Sequence, residues 1–192
     1  MLKYYARTFL PWIVLALASG IDHRAGALAG LATSAVLLIA DRRSGRRFDE
    51  LILDLSTALF MALFAVFALV RPHSPVLDYG TALAVGWLGV TAWLTLAVGR
   101  PFTLGIARRR VDEKIARTTI FQRMNVTITS VWAVCFTLEA VTLVWVQDHG
   151  PHNIAALVAC KAGFVVVAAT FTARYPELVR RRANALAPSP SL

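Results

Sequence analysis

The chain is poor in the residues that cover a soluble surface. Only 16% of its 192 residues are charged, whereas 57% are hydrophobic. A soluble domain of that composition lacks the polar surface to cover itself, and the mean hydropathy is positive. Carboxylates are scarce as well, 11 against 20 lysines and arginines, for a net charge of +9. That excess does not indicate nucleic acid, because the basic residues sit in short loops between apolar runs. The simpler partner is an anionic bilayer surface. Cysteine is nearly absent. Cys135 and Cys160 lie inside apolar segments, with no disulfide framework or metal spacing, and read as small packing residues. Enzyme signatures are missing too. The chain has no P-loop, no H-E-x-x-H, no G-x-S-x-G and no histidine pair suited to haem. No catalytic residue, cofactor site or metal site is therefore expected.

What is present is a series of six apolar runs, at about residues 4–21, 25–40, 49–70, 81–98, 124–146 and 154–174. The regions on one side of them hold two, four, seven and four basic residues, and the turns on the other side hold one, one and none. Basic residues near segment ends are retained in the cytoplasm. The expected fold is therefore all-α: a polytopic membrane protein of six transmembrane helices over residues 1–175, with both termini inside. A basic, then Ala/Pro/Ser-rich tail follows at 176–192, and Pro176 should loosen or stop the last helix. The second run has sixteen residues and spans about 24 Å, short of a bilayer core of about 30 Å, so the first two helices could form a tilted or shallow hairpin. Lys3, Arg7 and Ala16-Leu17-Ala18 mimic a signal peptide. The next apolar run follows within a few residues, so the segment is read as a retained helix.

Two ionisable residues fall within the runs. Glu139 and Lys161 each lie eight residues from the outer turn, counted from Gln147 and from Asn153. Both should sit about 12 Å below the outer boundary on consecutive antiparallel helices. An intramembrane ion pair is expected, either fixing helix register or serving proton or substrate binding. Asn125, Thr129, Trp132, Phe136 and Glu139 follow a four-three spacing and share one helical face. That polar stripe should face the bundle, as packing or as a cavity wall. Asp54 and Glu50 sit near the inner boundary, where Arg46, Arg47 or Arg100 would neutralise them. All four histidines fall on the outer side, but His149 and His152 lack the spacing of a zinc helix. Gly26 and Gly30 form a G-x-x-x-G suited to close helix packing. Seven basic residues in the long inner loop, 99–123, place it on the cytoplasmic membrane surface, with Arg108, Arg109 and Arg110 as candidate contacts to anionic lipid.

Phe9-Leu10-Pro11, Gly99-Arg100-Pro101, the Thr129/Trp132/Phe136 helix and Lys161 with Gly163 together resemble the intracellular septation protein A family of small bacterial inner-membrane proteins. Glu139 has no counterpart in that pattern. The resemblance implies a multi-pass protein of the bacterial inner (plasma) membrane. It further implies a non-enzymatic role in cell-envelope maintenance or septation, exerted through other membrane proteins or a second copy. The residues alone leave a second reading open, a small transporter or channel with Glu139 and Lys161 at its site. A third is a lipid-modifying enzyme. A water-accessible cavity reaching Glu139 would favour transport, and a tightly packed bundle would favour partners.

Overall fold

The computed structural model describes residues 2–46, 51–108, 111–150 and 154–185. Within the helices, the side chains of residues 2–6, 8, 154–156, 161 and 182–185 lie outside the described set. Every described element is helical: α1 (Leu2–Ser19), α2 (His23–Arg43), α3 (Ile52–Val70), α4 (Gly80–Ala97), α5 (Phe102–Arg108), α6 (Glu113–Ala116), α7 (Thr119–His149) and α8 (Ile154–Ala185). A short 3-10 segment, Pro75–Tyr79, leads into α4. Among the described residues five helices are long and apolar enough to cross a membrane: His23–Arg43, Ile52–Val70, Pro75–Ala97, Thr119–His149 and Leu157–Arg181. The apolar part of α1, Phe9–Ser19, is shorter. The protein is thus a multi-pass helical membrane protein.

Local chemistry extends several helices past the limits of their apolar runs. The Asp22 carboxylate accepts a hydrogen bond from the backbone N–H of Ala25 at 2.8 Å, which caps α2 two residues earlier than hydropathy suggests. At the other end Arg42 and Arg43 occupy the last turn, where cations complement the helix dipole. Gly45, at φ +75°, then reverses the chain in the left-handed conformation that glycine adopts without strain. With 21 residues α2 reaches about 31 Å, so it is not the short arm expected of a shallow hairpin. Asp41, expected in the loop, is part of this helix and is buried. It receives Arg7 of α1 and Arg46 of the following loop, each at 2.6 Å. A carboxylate that would be costly alone is offset by two guanidinium groups.

The long inner segment also departs from expectation. Pro101–Ile106 is buried, because α5 tucks against α7. Helix α7 begins at Thr119, where the Thr118 hydroxyl accepts from the backbone N–H of Phe121. Helix α8 does not stop near residue 174. It continues through Pro176 to Ala185, so the basic part of the expected tail, including Arg180 and Arg181, is helical.

Helix α2 packs against both α1 and α3, while α7 packs against α4 and α8. The buried residues gather into two cores. The first holds Leu15, Ala27, Phe60, Met61 and Phe64 with Ala84 of α4, and the second Leu88, Ala92, Phe102, Trp132 and Phe136 with Leu53 of α3. Trp12 of α1 packs against both and joins them. The α1–α2 contact is close because of glycine. A Cβ at Gly26 would lie 2.6 Å from the Ser19 backbone nitrogen, and one at Gly30 would lie 2.9 Å from Met61 Sδ. The G-x-x-x-G thus lets α2 lie against α1 and α3.

Hydroxyls in these apolar helices bond to carbonyls one turn back. Thr33, Thr57, Thr137 and Thr172 donate to Ala29, Leu53, Ala133 and Ala168 at 2.7–2.8 Å. Fewer reach across. Ser56 and Thr91 share a hydrogen bond of 2.6 Å between α3 and α4, and Trp87 Nε1 donates to Ser56 Oγ at 2.9 Å.

Candidate functional site

The polar stripe of α7 faces inward. Asn125, Thr129, Trp132, Phe136 and Glu139 are each 4% exposed or less. Every member but Phe136 has polar capacity that an apolar interior does not satisfy, and the structure divides that task along the helix. At the basic end, Thr103 of α5 donates to the Asn125 carbonyl at 3.1 Å and lies 2.7 Å from the Thr129 hydroxyl. The Asn125 side-chain amide turns back to the Phe121 carbonyl at 2.9 Å. One turn further on, Trp132 Nε1 donates to Thr172 of α8 at 2.9 Å. The stripe is therefore a docking line for α5 and α8 over its first half.

Its second half faces a cavity. A space of about 290 Å³ runs between α1, the 3-10 segment, α4, α7 and α8. Glu139 and Phe136 line one part, and Ser19, His23 and Asp78 line the end near the α1–α2 turn. His23 Nε2 lies 3.5 Å from Asp78 Oδ1 at that end. The indole N–H of Trp12 and Nδ1 of His23 are buried, belong to residues lining this cavity, and find no partner among the described residues. Such groups cost about 1–3 kcal/mol each unless something in the cavity answers them.

A second cavity, of about 200 Å³, lies on the basic side of the same helix. Its walls are mostly apolar and include Leu53, Ile106, Ile128 and Thr172, with Asn125 and Trp132 of the stripe. Phe9 of α1 lines both cavities and stacks on Trp132 with ring centroids 6.2 Å apart. Phe136 tilts against the same indole at 5.1 Å. An aromatic layer thus lies where the two spaces approach one another.

Lys161 belongs to α8, which packs on α7, but its side chain lies outside the described set, and so does the expected pairing with Glu139. Arg108 is exposed at the end of α5, and Arg109 and Arg110 are outside the described residues. Among the described residues no three His, Cys, Asp or Glu side chains converge as a metal site. Sequence reasoning missed the contribution of α1 altogether. Trp12 reads as an ordinary apolar position, and Phe9 stood out only within Phe9-Leu10-Pro11, not as part of a site.

Fold and site together define a multi-pass helical membrane protein with two half-open cavities along one polar helix face. Searches against protein-family models, curated proteins and solved structures give no match.

Proposed function

We propose that the protein is a small transporter or channel that moves a proton or small polar solute along an interior path, with Glu139 and Lys161 at its intramembrane site. The observation that carries this reading is the 290 Å³ cavity that connects Glu139 with the His23 and Asp78 end of the bundle. A tightly packed bundle serving only as a scaffold has no need of such a space. The inner cavity continues the same path, and Phe9, Trp132 and Phe136 form the barrier between the two. An intramembrane carboxylate on such a path is a functional candidate by default.

The proposal includes the topology. Six helices cross the membrane, α1 being the sixth, with both termini and the arginine-rich segments in the cytoplasm and His23, His73 and Asp78 outside. The seventeen-to-two distribution of basic residues supports that orientation. The membrane is taken to be the inner membrane of a bacterium, as the resemblance implies.

The test is flux in liposomes containing the purified protein and a pH-sensitive dye. Wild type should dissipate an imposed proton or solute gradient faster than protein-free liposomes, and Glu139→Gln should remove most of that excess rate while remaining folded. Wild-type rates equal to those of empty liposomes, for protons and a panel of small cations, amines and amino acids, would sink the transport reading. They would return the protein to a partner-mediated role in envelope maintenance or septation.

A further inference from the structure

The basic end of the bundle holds a third space that the transport path does not use. It is a recess of about 860 Å³ between the end of α2, the start of α3, the α4–α5 connection and α7. Arg42, Arg46, Arg100 and Arg108 line it, drawn from two stretches of chain more than fifty residues apart. No carboxylate is among its described lining residues. Beside it Asp41 is shared between Arg46 and Arg7, two guanidinium groups to one carboxylate. Gly99 and Gly105 contribute only backbone to the wall, which leaves room beside the guanidinium groups. The remaining wall is partly aliphatic, with Ile52, Leu104 and Val126.

We infer that this recess binds the phosphate headgroup of an anionic phospholipid from the adjoining leaflet. Guanidinium groups form forked hydrogen bonds to phosphate oxygens, and several converging ones discriminate an anionic from a zwitterionic headgroup. The recess lies at the ends of α2 and α4, at the level where headgroups meet transmembrane helices. Leu55, three residues past Ile52 on α3, and Leu94, five residues before Gly99 on α4, are exposed, and they offer acyl chains an apolar continuation toward the middle of the bundle. A soluble phosphate would use the arginines but not this apolar continuation. The inference does not depend on the transport reading.

Native mass spectrometry of the purified full chain, titrated with phosphatidylglycerol or phosphatidylcholine, tests it. Wild type should retain phosphatidylglycerol in preference to phosphatidylcholine. Arg100→Gln should weaken phosphatidylglycerol binding by roughly 5-fold, and Arg42→Gln/Arg100→Gln by roughly 30-fold, from the contribution of one cation near an anionic surface. Arg100→Lys keeps the charge and loses the fork, and should fall between wild type and Arg100→Gln. Arg71→Gln, at the opposite end of the bundle, should bind as wild type does. Equal retention of the two lipids, or an equal loss in Arg71→Gln, would overturn the site. Displacement of bound lipid by millimolar inorganic phosphate would assign the recess to a soluble phosphate and overturn the lipid assignment.

Discussion

Replacing the glycines of α2 and α4 by alanine tests how the bundle is held together, because the same methyl group meets three different surroundings. At Gly26 the added Cβ would lie 2.2 Å from Ser19 Oγ, 2.6 Å from its backbone nitrogen and 2.8 Å from its Cα. A hydroxyl can rotate away, but the nitrogen and Cα belong to α1 itself. The helices must therefore separate by several tenths of an ångström along their contact. Overpacking of this kind costs about 1–3 kcal/mol, and backbone crowding places Gly26→Ala near the top of that range. At Gly30 the closest atom is Met61 Sδ at 2.9 Å, the end region of a flexible side chain, followed by Leu15 Cβ at 3.3 Å. About 1 kcal/mol is expected there. At Gly86 the nearest atom is Ala140 Cβ at 3.8 Å, an ordinary contact, so alanine should be neutral or stabilise by up to about 1 kcal/mol through its helix preference. In thermal unfolding in detergent, at about 2–4 °C per kcal/mol, Gly26→Ala should lower Tm by roughly 4–12 °C, Gly30→Ala by a few degrees and Gly86→Ala not at all. Ser19→Ala should not rescue Gly26→Ala, since the backbone atoms of Ser19 remain. Rescue would show that the hydroxyl was the obstacle. Equal losses at all three positions would refute the argument from close approach.

Three other outcomes are expected. Thr103→Val removes the hydroxyl that joins α5 to Asn125 and Thr129 and should cost about 1–2 kcal/mol; proteolysis within 99–118 should then quicken, and an unchanged cleavage rate would mean that α5 does not depend on that bond. Asp41→Asn breaks the junction of Arg7 and Arg46; both arginines reach solvent in part, so the cost should be about 1–2 kcal/mol in Tm measurements and should shrink in high salt. Single cysteines at His73 and at Ser44 should label from outside and inside respectively in intact cells, and external labelling at Ser44 would overturn the proposed topology.

Sequence patterning carried the helical class and the inward face of α7 because both express themselves within one or two turns. The four-three spacing from Asn125 to Glu139 needs no knowledge of distant contacts, and all five residues are buried. What was not legible depended on residues far apart in the chain. Asp41 looks like a loop carboxylate until Arg7, 34 positions away, arrives beside it. Helix α5 has seven residues, too few for a hydrophobic period to repeat, and it lies in a strongly basic segment that reads as resting on the membrane surface. Pro176 suggested a stop, yet it forfeits only one backbone bond, and α8 continues through it. The cavity beside Glu139 was not readable either, since its walls come from α1, α4, α7 and α8 together.

The back-bonded hydroxyls have a consequence for assembly. Thr33, Thr57, Thr137 and Thr172 satisfy their donors within their own helices, so each helix can leave the translocation machinery and enter lipid before any neighbour is in place. The bonds between helices, Ser56 with Thr91, Thr103 with Thr129 and Trp132 with Thr172, can form only afterwards, when the inserted segments meet side by side. Insertion and lateral association are then separable events. Helix α5 belongs to the second, because it is too short to cross a bilayer and acquires its buried surroundings only once α7 is there to receive it.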